Sequence, residues 1–107
     1  MIAEPEHTID DQLRVAIENK RLIEIRYHGR ARIAEPHDYG VIKGVEKLLV
    51  YQRRGVDGVT ERNMAGWRFM EAAKIEGCRV LDEAFRGSRA QLHRNHVKWD
   101  ILYARVK

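Results

Sequence analysis

One cysteine, Cys78, leaves the chain without a partner for an internal disulfide, which excludes the stapled scaffold of small secreted domains and points to a reducing compartment. One serine, Ser88, stands between Gly87 and Arg89 with no nucleophile elbow around it, so a serine triad lacks its usual frame. Gly40 and Gly44 are not followed by the Lys-Ser or Lys-Thr of a phosphate-cradling loop. No apolar run approaches a membrane span, and the opening residues, among them Glu4 and Pro5, lack the basic start and apolar stretch of a secretory signal. A cytoplasmic location without membrane contact is therefore expected. There is no internal repeat, and 107 residues hold one core rather than two.

What is present is charge, unevenly spread. Counting Lys and Arg against Asp and Glu, residues 1–19 carry 1 against 5, residues 20–85 carry 13 against 10, and residues 86–107 carry 6 against 1. The late basic surplus favours anionic partners such as phosphates.

Thr8 has the chemistry of a helix N-cap, with Asp10 and Asp11 in the first turn. Ile9, Leu13, Ala16 and Ile17 then recur at helical spacing, which predicts a helix over about 9–19. From Arg21 the period shortens to two. Ile23, Ile25 and Tyr27 alternate with Glu24 and Arg26, predicting a half-buried strand that turns at His28 and Gly29. A second strand is predicted from Arg30 to Glu35, limited by Pro36 to an edge, an end or a bulge. Glu35 and Asp38, a conceivable carboxylate pair, read as loop residues beside that proline. Val41 and Ile42 form a short extended piece, and Leu48 to Tyr51 a central strand. Gly55 to Ala65 reads as a loop. A strand follows from Gly66 to about Ile75, with Trp67, Phe69 and Ile75 on one face and Arg68, Met70 and Lys74 on the other. Cys78 to Asp82 is the last clear strand. After Phe85, Val97, Trp99, Ile101 and Tyr103 fit both strand and helix spacing.

About five short strands behind one helix predict a mainly β, α+β fold: a small barrel or strongly bent sheet with the helix as its cap. In order along the chain, Ala16-Ile17 with Ile23 to Tyr27, then Arg32 with Glu35, Pro36 and Gly40, then Arg68, Met70, Glu71, Lys74 and Ile75, closed by Leu81 and Phe85, resemble the WYL domain. That family is a bacterial ligand-sensing module with an Sm-like, SH3-like barrel, often attached to transcriptional regulators. The resemblance implies a WYL-like domain over residues 8–85, with 86–107 as a basic and aromatic extension. Glu46 and Lys47 stand where the family's Trp-Tyr pair would be, and Glu71 and Lys74 replace arginines.

The expected ligand site is Arg32, His37, Tyr39, Tyr51, Arg68 and Lys74, with the cations on neighbouring strands binding phosphate or carboxylate and the tyrosines stacking on bases. The expected function is a non-catalytic sensor of a nucleotide or short single-stranded nucleic acid, without cofactor or metal. The alternative is an interaction module, dimerising through the barrel and its Trp99–Tyr103 segment. His93 and His96 are spaced for one helical face but number too few for zinc. Arg86, Arg89, Arg94 and Lys98 have the character of a phosphate-backbone contact, but the favoured expectation is that they stay wet while Val97, Trp99 and Ile101 dock on the barrel or a second subunit. Cys78 reads as a small buried hydrophobe.

Overall fold

The computed structural model describes residues 8–55, 65–89 and 97–107. Helix α1, Ile9–Asn19, starts where the Thr8 hydroxyl accepts the Asp11 amide at 3.0 Å. It stops at Lys20, whose left-handed backbone (φ 54°) turns its amide back to the Ala16 and Ile17 carbonyls. Leu13, Ala16 and Ile17 bury the predicted stripe.

Six strands follow: β1 Arg21–Tyr27, β2 Arg30–Ile42, β3 Val45–Gly55, β4 Gly66–Glu71, β5 Ile75–Ala84 and β6 Ile101–Arg105. They form one antiparallel sheet in the order β4-β3-β2-β1-β5, with β6 also paired to β2. His28-Gly29 and Lys43-Gly44 make the first two hairpins, and all four residues have positive φ, the twist that two-residue hairpin turns demand.

The sheet cannot be flat. Five strands side by side would hold the outer two about 19 Å apart. Yet β4 and β5, at opposite ends of the order, are joined only by the one-turn 3-10 helix Ala72–Lys74, which advances about 6 Å. The two edges therefore meet at this end and the sheet curls into a small barrel. The Tyr27 hydroxyl of β1 also accepts the Glu71 amide of β4 at 3.0 Å across that seam. Inside lie Ile23, Ile25, Leu48, Val50 and Met70, and α1 packs over them against β5, β2, β1 and β6.

Three elements differ from expectation. β2 runs straight through Pro36, and Glu35 and Asp38 are strand residues rather than loop. Pro36 falls at a register shift in the β2–β3 ladder, between the segment paired with β1 (Arg30 to Ala34) and that paired with β6 (Asp38 to Val41), so its missing N–H costs no ladder bond. The predicted strand to Ile75 ends at Glu71, and Ile75 opens β5. Of its two faces, the one carrying Met70 is turned inward: Met70 is 1% exposed and Phe69 46%. Register decides this, because Met70 lies opposite Leu48, and Leu48 points into the core.

The extension is a strand where it is described. β6 comes so close to β2 that a Cβ on Gly40 would overlap the Ile101 carbonyl and stand 3.0 Å from the Trp99 ring. Gly40→Ala is expected to lower the unfolding free energy by about 2 kcal/mol, as overpacking does. Gly77→Ala, which meets nothing within 4 Å, should change it by less than about 1 kcal/mol. Urea denaturation of both variants checks the contrast, and equal effects would contradict the docked position of β6.

Candidate functional site

From Glu35 to Gly40, every residue of β2 is buried, with β3 along one edge and, from Asp38 on, β6 along the other. Three polar side chains are caught in it: Glu35 at 4% exposure, His37 and Asp38 at 0%. Each carboxylate has an arginine from the end of the chain. Arg89 donates Nε and Nη2 to the two oxygens of Glu35 at 2.8 and 2.9 Å. Arg105 donates the same pair of atoms to Asp38 at 3.0 and 3.1 Å. Such two-pronged pairing fixes the guanidinium plane. His37 Nδ1 lies 3.0 Å from the Glu35 carbonyl oxygen, which can only accept, so Nδ1 carries the proton. The ring stands edge-on to Trp67 at 4.8 Å.

Beside Glu35 opens a cleft of about 620 Å³. Its chemistry comes from Arg53 of β3 and from Arg86, Gly87, Ser88 and Arg89, the segment after β5. Three arginines and one carboxylate line it. Arg53 Nε is 3.8 Å from Glu35, and Arg89 lies 3.7 Å over the ring of Tyr51. Arg86 has no hydrogen bond or ion pair among the described residues. Hydrogen bonding to Glu35, ahead of the opposing cost of burial, holds Arg89 above its ordinary pKa. The cleft is thus permanently cationic, with an aromatic ring behind Arg89.

The six residues expected to form one site are divided between the two faces of the sheet. Arg32 and Arg68 do share the inner face, where Arg32 Nη1 donates to Gln52 Oε1 at 3.1 Å and Nη2 to the Tyr27 carbonyl at 3.1 Å. Desolvation, and then the charge of Arg68, lower the pKa of Arg32. Lys74 is on the 3-10 turn rather than a strand, exposed, with Nζ 3.4 Å from Glu71. Tyr39 is 1% exposed and its hydroxyl donates to Asp10 Oδ1 at 2.8 Å, so its ring offers no stacking face. His37 is equally enclosed. Tyr51 lies opposite Glu35 with Arg89 over its ring, and none of the six lines the basic cleft itself.

Arg53 is not among the expected ligands, and for Arg86 and Arg89 the wet-charge reading is the one favoured over phosphate contact. The available signal was Glu35 itself: a carboxylate in a strand buried on both faces requires a cation. His93, His96 and Arg94 lie outside the described residues. Among those described, no group of three or more His, Cys, Asp or Glu side chains could hold a metal, and no helix is long and apolar enough to cross a membrane. Burial pushes the Cys78 thiol up to about 12, which keeps it protonated. No family model, curated protein or solved structure matches the chain.

Arg89→Ala would leave a carboxylate with a 5% exposed side chain facing only the more distant Arg53. The expected loss is about 2 kcal/mol, below the figure for a fully buried pair because the Arg89 side chain is 37% exposed. Adding Glu35→Gln should recover part of it. Chemical denaturation of the single and double variants measures this, and additive losses would show that the pair does not couple.

Proposed function

We propose that the chain is a non-catalytic regulatory domain of WYL type, cytoplasmic, that binds an anionic ligand, a nucleotide or short single strand of nucleic acid, in the cleft of Arg53, Arg86 and Arg89. The observation carrying this reading is one cleft lined by three arginines, two of them held by the buried Glu35. Glu35 orients Arg89 and draws in Arg53, and Arg86 carries a guanidinium that can take a phosphate. Tyr51, covered on one side by Arg89, adds an aromatic surface beside the charge. A protonated Cys78 and an enclosed His37 support binding rather than nucleophilic chemistry.

Titrating the protein with ATP by calorimetry tests the cleft. Arg86→Ala is expected to weaken binding about tenfold, or 1.4 kcal/mol, and Arg68→Ala, on the inner face, to leave it unchanged. The opposite ranking would move the site to the barrel interior.

A second reading, an interaction module, is favoured by the exposed Phe69, Ile101 and Leu102, at 46%, 55% and 39%. Phe69 stands edge-on to Trp99 at 5.8 Å, which joins the β4 and β6 sides into one apolar surface. Removing 97–107 would strip β6 from β2, so a point change is the cleaner test. If this surface pairs two copies, light scattering should give the mass of a dimer for the wild type and of a monomer for Ile101→Arg. A wild-type monomer would dismiss the pairing.

A further inference from the structure

A second cleft, of about 460 Å³, lies beyond Gly87. Its cations are Arg14 and Lys20 from the end of α1, and Arg105 and Lys107 from β6 and the residues after it, with Glu18 as the one carboxylate in its wall. Two of these cations are fixed by acids outside the cleft. Arg14 is bound to Asp10 at 3.0 Å and lies 4.6 Å over the ring of Tyr103, and Arg105 is bound to Asp38. Lys20 and Lys107 have no ion pair among the described residues.

The two clefts share a wall. The Phe85 amide donates to the Lys20 carbonyl at 2.9 Å, and the Ser88 amide to that of Lys107 at 3.0 Å. The Lys20 side chain comes so near Gly87 that a Cβ there would lie 3.3 Å from its Cε. Lys20 and Lys107 of the second cleft therefore adjoin the 85–88 segment that carries Arg86 into the first. Beside each cleft is a tyrosine ring covered by an arginine: Tyr51 behind Arg89 of the first lining, and Tyr103 under Arg14 in the second.

Building on the cleft reading above, we infer that the ligand is a single strand of nucleic acid laid across both clefts, its phosphates over Arg86, Lys107 and Lys20 and its bases against the two arginine-covered rings. A lone nucleotide occupies one cleft and leaves the charges of the other crowded together. A chain of phosphates neutralises both. Alternating cations and rings suit a polymer that alternates phosphate and base, whereas an acidic peptide has no π face to offer. A duplex keeps its bases paired and stacked, out of reach of rings set beside the clefts.

Fluorescence anisotropy with labelled oligothymidylate and oligouridylate of about ten nucleotides, beside calorimetry with ATP, tests this in a salt series. Either oligomer should bind at least tenfold tighter than ATP, and the tighter of the two names the sugar. Lys20→Asn with Lys107→Gln should reduce the slope of log affinity against log salt by about 0.7 per charge removed, while ATP binding stays as it was. Asparagine is chosen because it tolerates the left-handed backbone of Lys20, and the exposed Lys107→Gln alone keeps the test open should the pair misfold. An oligomer no tighter than ATP, an unchanged slope, or a duplex binding as well as the single strand overturns the inference. Loss of the Arg86→Ala effect on ATP would instead remove the first-cleft reading.

Discussion

The burial of two carboxylates in the middle of β2 is the constraint from which the other functional features descend. Glu35 and Asp38 are both buried in this strand, where a charged group needs a counter-charge. Arg89 and Arg105 supply it, both from segments that follow β5. Such pairs add little net stability compared with well-packed apolar residues. Their contribution is positional: they tie the end of the chain to the centre of the sheet. The Val106 amide, donating to the His37 carbonyl at 2.8 Å, completes the attachment between them.

That attachment also explains why β2 is so long. Its first half is paired with β1 and its second half with β6, on the same edge, so β6 takes over where β1 has ended. Pro36 marks the exchange. Gly40 lets the newcomer sit close, and Asp100, whose carboxylate accepts the Lys43 amide at 2.6 Å, starts it in register. The Tyr103 hydroxyl then donates to Glu46 of β3 at 3.0 Å. Under the proposed WYL kinship, Glu46 and Lys47 replace an aromatic pair, and both are engaged in local contacts, Lys47 with Glu71 at 3.7 Å.

Much of the fold was legible because single-period signals dominate it. The 3.6-residue stripe of α1, the strict alternation of β1, the His28-Gly29 turn and the apolar run at Leu48 each depend on neighbours a few positions away. What escaped depends on distant partners. The inward face of β4 is chosen by its register with Leu48, and residues 66–75 taken alone show Trp67 and Phe69 as convincingly apolar as Met70. β2 was cut short at Pro36 because local rules end strands at proline, and only a strand arriving some sixty residues later makes the proline harmless. The expected binding residues scattered for a related reason. Basic and aromatic character was visible at Arg32, Tyr39 and Lys74, but which side of a curved sheet each occupies is set by bulges and by the turn at Ala72–Lys74.

The two groups of arginines differ in what they can do with an anion, and the difference lies in their partners. Arg32 spends its outer nitrogens on Gln52 and the Tyr27 carbonyl, in a partly desolvated position where the charge of Arg68 already weakens its hold on a proton. A ligand there would have to displace neutral groups that the barrel needs. Arg89 and Arg105, by contrast, are held by carboxylates buried beneath them, which fixes the plane of each guanidinium. Fixing a guanidinium before the ligand arrives removes the side-chain entropy that binding would otherwise lose. The same acids that make the core of β2 awkward to bury thereby become the mounts of a cationic surface.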